Sequence, residues 1–232
     1  MKLYNLIYIL CIIGVCNSEV ITLMNDNHIV LRGEINEEMI TRSIIDINKI
    51  EKDEIFVYIN SNGGRIDSGN KFIEQIDYLS NNGKKISCVA DTALSMAFAI
   101  FQKCNNRYIT NASTLMQHQA SLTISGNLNS INSYMAIVNE MDKNLNIMQA
   151  NRIGVHEDKF REKIRDEWWI YGINNIDEKT ADKSIIIGCE KDLFNKEIIT
   201  IENQGLIEVI NYYSGCPLAK NPIKTEIKQK IN

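Results

Sequence analysis

Residues Ile55–Ile59 form an unbroken apolar run, Ile-Phe-Val-Tyr-Ile, that ends in Asn60-Ser61-Asn62-Gly63-Gly64. A run so short and so rich in β-branched and aromatic residues predicts a strand covered on both faces, which belongs inside a parallel sheet. The same logic continues along the chain. His28–Leu31 reads as a short strand closed by Gly33, and Glu37–Ile50 carries Met39, Ile40, Ile44, Ile47 and Ile50 at helical spacing. Ser68–Leu79 places Phe72, Ile73, Ile76 and Leu79 on one helical face; Ile86–Ala90 reads as a second buried strand. Ser95–Lys103 starts an apolar helix, Arg107–Ile109 and Thr114–Gln117 read as strands, and Leu128–Arg152 follows as one long helix. Strands alternating with helices across short loops predict an α/β domain built of βαβ units. The long helix carries enough apolar residues (Ile131, Tyr134, Met135, Val138, Met141, Leu145 and Met148) to cover a partner as well as its own core. From Phe194 onward the pattern weakens, and Gly215, Pro217 and Pro222 suggest a loose C-terminal extension over 194–232.

The first eighteen residues follow another rule. Lys2 precedes Leu3–Val15, apolar except for Asn5, and the small or polar Cys16, Asn17 and Ser18 come before Glu19. A basic start, an apolar stretch and small residues after it predict a signal peptide over 1–18, hence a secretory, periplasmic or extracellular location. The run is short for a membrane span, and an uncleaved anchor is the alternative. Four cysteines remain beyond it: Cys88, Cys104, Cys189 and Cys216. They permit disulfides in three connectivities, with free buried thiols as the plainer alternative. There is no Cys-x-x-Cys pair, and His28, His118 and His156 lie far apart in sequence, so neither a metal site nor a cofactor is expected. The formal net charge of −4, with Lys and Arg spread evenly, argues against a nucleic-acid surface. Lys220, Lys224, Lys228 and Lys230 read as a solvated tail.

Three segments carry chemistry. Gly63-Gly64 after a buried strand lets backbone N–H groups face a substrate without side-chain obstruction. Ser95, in Ala93-Leu94-Ser95-Met96-Ala97, falls between a strand and a helix, where the helix N-terminus supplies positive potential and free N–H groups. That suits a nucleophile, and the Met96 N–H is placed to hold an oxyanion. His118, in Leu115-Met116-Gln117-His118-Gln119 at a strand end, is the natural base for it, since His28 lies near the start of the mature chain and His156 in a charged helical stretch.

In order and spacing these motifs resemble the ClpP peptidase family, from about His28 to about Asp182, with a peptidase domain over 19–193. The resemblance implies the ClpP/crotonase-like spiral of βαβ units with a long projecting helix. It implies that Ser95 attacks a peptide carbonyl, that His118 takes its proton, and that the N–H groups of Gly64 and Met96 form the oxyanion hole. It also implies a third, acidic member after the long helix. Arg165-Asp166-Glu167-Trp168 offers two candidates: register favours Glu167, residue type and the preceding arginine favour Asp166. Four positions depart from the family pattern: Asn62 and Ala120 where it has proline, Asp91 where it has glycine, and Leu94 where it has a small residue. The function implied is a serine endopeptidase acting on peptides or unfolded proteins, assembled as a homo-oligomeric ring. An exported chain would work without a Clp ATPase, because ATP is scarce outside the cytoplasm. The alternatives are an SppA-like signal peptide peptidase with a lysine base, a catalytically silent ring subunit or peptide-binding protein, and an acyl-CoA enzyme of the wider fold.

Overall fold

The central strand is β3, Glu54–Gly64, and it alternates its side chains between two apolar layers. Ile55, Val57 and Ile59 face one layer and Phe56 and Tyr58 the other. That double burial is the reason for the continuous apolar run. The computed structural model describes residues 19–205 and 207–229. The segment 1–18, expected from the sequence to be a signal peptide, lies outside the described residues.

The chain starts with β1 (Val20–Leu23), β2 (His28–Ile35) and α1 (Glu37–Ile47), and passes through β3 to α2 (Ile66–Asn81) and β4 (Lys85–Leu94). Next come α3 (Met96–Lys103), β5 (Asn106–Gln117), α4 (Leu128–Ile153), α5 (Glu157–Lys163) and β6 (Trp168–Tyr171). The remainder is α6 (Asn174–Asp177), β7 (Lys183–Ser184), β8 (Ile186–Cys189), α7 (Lys191–Asn195), β9 (Glu197–Gln204), β10 (Ile207–Ser214) and β11 (Lys224–Gln229). Strands β2, β3, β4 and β5 lie side by side in parallel, β6 runs antiparallel on β5, and β7 also pairs with β5. This is the α/β architecture of βαβ units that the sequence predicts.

One face of the sheet carries the main core, where Phe72, Phe98, Phe101 and Phe160 are fully buried among Ile and Val side chains. On the other face Tyr58, Val89 and Tyr108 meet Ile21 and Leu23 of β1, together with Ile185, Leu193 and Cys216. There β1 pairs in parallel with β8, Val20 opposite Ile186 and Leu23 opposite Cys189.

Helix α4 begins at Asn127, whose side chain accepts a hydrogen bond from the Ser130 N–H, and ends at Gly154, which takes the left-handed conformation a helix stop favours. At 1.5 Å per residue it is about 39 Å long. Its buried residues, Asn146, Gln149, Ala150 and Ile153, all lie near its C-terminal end. The opposite end projects and exposes Leu128, Tyr134 and Ile137. No helix among the described residues is long and apolar enough to cross a membrane.

The boundaries differ from expectation in instructive places. Strand β2 runs on through Gly33 to Ile35, with a register shift between Arg32 and Glu34 that absorbs the glycine. The two strands expected over Arg107–Gln117 are one, interrupted opposite β4 by a shift between Ala90 and Thr92. The C-terminal extension is not loose. Strands β9, β10 and β11 form an antiparallel sheet, with Gly205 at a positive φ of 65° beyond β9. All four cysteines of the described chain are paired, Cys88 with Cys104 and Cys189 with Cys216. The second bond fixes the end of β8 to the segment after β10.

Candidate active site

Ser95 sits on a sharp corner between β4 and α3, with φ 55° and ψ −122°. This region disfavours any side chain, at a cost of about 1–3 kcal/mol. Its neighbours impose it. The Ser95 N–H donates to the Met116 carbonyl at 2.9 Å, which fixes the corner to β5, and Met96 begins the helix immediately. The corner turns the hydroxyl out, and Ser95 Oγ lies 2.8 Å from His118 Nε2. His118 follows the last residue of β5, and its N–H donates to the Gln117 side-chain oxygen at 3.1 Å. The Gln117 amide in turn bonds Gln149 on α4, so two elements hold the segment carrying the histidine.

Replacing Ser95 should reveal this strain. Ser95→Gly is expected to unfold about 1 kcal/mol later than Ser95→Ala, because glycine tolerates positive φ whereas alanine keeps the penalty. Equal stability in thermal or urea unfolding would show the corner to be relaxed.

Gly63 takes a φ of 91°, and a Cβ there would come 2.7 Å from Ser95 Cβ and 2.9 Å from the Met96 nitrogen. Only glycine lets the β3 end approach the serine this closely. A Cβ on Gly64 would run into the Ile35 backbone. Gly63 therefore lies beside Ser95 and the first N–H of α3, one of the helix N–H groups without an intrahelical acceptor, while Gly64 sits against β2. His28 and His156 are engaged elsewhere, His28 with the Met24 carbonyl and His156 as the cap of α5.

The two candidate acids do not reach His118. Asp166 is exposed beside Arg165, and Glu167 accepts a hydrogen bond from the Trp169 indole at 2.8 Å. Backbone register still separates them. Gln117 pairs with Trp168 in the antiparallel β5–β6 ladder, and continuing it by one residue sets Glu167 opposite His118.

Asp91 does not leave a free charge near the site. Its carboxylate lies 2.6 Å from Lys220 Nζ, so Lys220 is an anchor rather than part of a solvated tail. Arg32 reinforces that anchor, donating to the Pro217 carbonyl at 2.9 Å and stacking 4.8 Å over the Tyr213 ring. Leu94 packs inward, with its carbonyl against Gly63. Sequence reasoning missed the other wall of the site. Asp142, Leu145, Asn146 and Gln149 on α4 line a cavity with Ser95 and His118. No local motif marks them, because α4 follows His118 by a loop and returns to it only in three dimensions.

A serine on a positive-φ corner at a helix N-terminus, hydrogen-bonded to a histidine on the next strand, is the arrangement of a hydroxyl nucleophile with its base. The chain matches the Clp protease family over residues 15–178 and belongs to that family. It is 25% identical over 119 residues to the ATP-dependent Clp protease proteolytic subunit 2 of Tropheryma whipplei, covering 51% of this chain and 66% of that relative. It is 28% identical over 142 residues to proteolytic subunit 1 of Borreliella burgdorferi, covering 59% and 73%. To proteolytic subunit 2 of Pseudomonas aeruginosa it is 21% identical over 160 residues, covering 66% and 78%. Membership supports a peptidase of the serine type.

Proposed function

We propose that the chain is a serine endopeptidase that hydrolyses peptides or unfolded proteins. The observation that carries this is the 2.8 Å contact between Ser95 Oγ and His118 Nε2 at the start of α3. Ser95 Oγ attacks the peptide carbonyl while His118 Nε2 takes its proton. The N–H groups of Gly64 and Met96 receive the oxyanion, and His118 returns the proton to the leaving amine. Water then repeats the sequence on the acyl-enzyme. The imidazolium formed on the way needs an acid at Nδ1, and Glu167, across the β5–β6 ladder, is the better placed of the two, with Asp166 as the alternative.

The enzyme is exported and works without an ATPase partner, although its relatives are ATP-dependent by name. Two features support export: the apolar segment after Lys2, and the pairing of all four later cysteines, a pattern typical of oxidising compartments. A homo-oligomeric ring is supported by the projecting apolar end of α4.

A silent ring subunit is the second reading, favoured by the Glu167 carboxylate being turned to Trp169 rather than to His118. An SppA-like lysine base finds no support, since no lysine among the described residues lines the cavity at Ser95. Labelling with a fluorophosphonate probe separates the two readings. Wild type should label and Ser95→Ala should not; a folded, assembled wild type that stays unlabelled would establish the silent subunit.

A further inference from the structure

The cavity beside Ser95 has an acceptor-lined floor. Its walls are apolar, with Ile66, Ala99 and Leu145, but Asp142 and Asn146 lie at its α4 side. Hydrogen-bond accounting shows what remains for a substrate. Gln117 and Gln149 are used up on each other, on the His118 N–H and on the Leu145 carbonyl. Asn146 Nδ2 donates to Asp142 Oδ2 at 2.8 Å, and Arg161 Nη1 approaches the same oxygen at 3.3 Å. Asp142 Oδ1 and Asn146 Oδ1 thus have no hydrogen-bond donor among the described residues, and both are acceptors. Charge points the same way. Arg161 Nε is taken by Glu157 at 2.9 Å, so the trio of Asp142, Arg161 and Glu157 keeps one net negative charge.

We propose that this cavity selects a cationic side chain, lysine or arginine, on the residue whose carbonyl Ser95 attacks. The inference rests on Ser95 being the nucleophile. The aliphatic stem lies along Ile66 and Leu145, and its charged head donates to Asp142 and Asn146. A leucine or phenylalanine would leave both acceptors unpaired, which penalises it.

The test uses peptidyl diphenyl phosphonates with lysine, arginine, leucine or glutamate next to phosphorus. Each reacts by forming an Oγ–P bond and breaking one P–O(phenyl) bond; phenol leaves with the serine proton. Wild type should react about ten- to hundredfold faster with the lysine and arginine probes than with the leucine probe, and most slowly with glutamate. Asp142→Asn should cut the lysine-to-leucine ratio about tenfold, and Asn146→Leu should lower it independently. Reading a ratio within each variant removes any common loss of reactivity. A wild type that reacts with an uncharged fluorophosphonate yet prefers leucine overturns the cavity assignment and leaves the nucleophile standing. A wild type that reacts with no probe overturns both.

Discussion

His118→Ala should lower kcat/KM on an unstructured peptide by about ten-thousand- to million-fold, with circular dichroism unchanged. Without the imidazole, Ser95 Oγ must attack while still carrying its proton, and neither other histidine can replace the base: His28 bonds Met24 and His156 caps α5. Loss of a base that acts as a unit with its nucleophile costs this much in triad enzymes. Activity within tenfold of wild type would remove His118 from the mechanism. The acid gives a smaller, graded effect. Glu167→Gln should cost about a hundred- to ten-thousand-fold, because the amide orients the ring without stabilising its charged form. Asp166→Asn, exposed beside Arg165, should stay within about threefold, in line with the small effects of exposed surface charges. The reverse order would assign the acid to Asp166.

The second large effect is on stability. Asp182 accepts from the Arg107 backbone N–H at 2.8 Å and from its buried guanidinium at 2.6 Å, and it faces Arg152 at 3.0 Å. Partial burial pushes the Asp182 carboxyl up, but the Arg107 hydrogen bonds and charge, with Arg152 behind them, outweigh it and hold it below its ordinary value. Asp182→Asn leaves Arg107 buried without its counter-charge. The expected loss is about 2–3 kcal/mol, the lower end for a buried pair because Asp182 itself is partly exposed. That corresponds to roughly 5–10 °C in Tm. A carboxyl lowered on folding stabilises fully above its unfolded value of about 4. That contribution fades as pH falls through the lower folded value. Wild type and Asp182→Asn should therefore differ at pH 7 and converge in denaturant unfolding below about pH 4. A constant gap down to pH 2 would show the loss to be packing, not charge.

The sequence carried the sheet and the Ser–His pair because both are written locally. Ile55–Ile59 is apolar on both faces, and Ser95 and His118 each directly follow the last residue of a strand. Their approach to 2.8 Å follows from β4 and β5 being neighbours. The C-terminal sheet was missed because its strands mix Ile with Glu and Lys and carry no clean alternation. A signal was present all the same, in β-branched runs on both sides of Gly205, the pattern of a hairpin. The role of Asp91 was illegible for another reason: its partner is Lys220, far along the chain, and no spacing rule joins them. Glu167 was placed by counting, but a side-chain rotamer facing Trp169 is not something counting can reveal.

The pairing of β1 with β8 sets when this molecule can finish folding. Val20 finds Ile186, and the Cys189–Cys216 bond sits on top of that joint, so the first described strand waits for nearly the whole chain to be made. Contacts of such long range close slowly. The β2–β6 sheet can close without this pair, so the joint is the late step and leaves one sheet face open until then. In the exported enzyme proposed above, the ladder that seals this sheet face would close, and the Cys189–Cys216 bond form, only after transport.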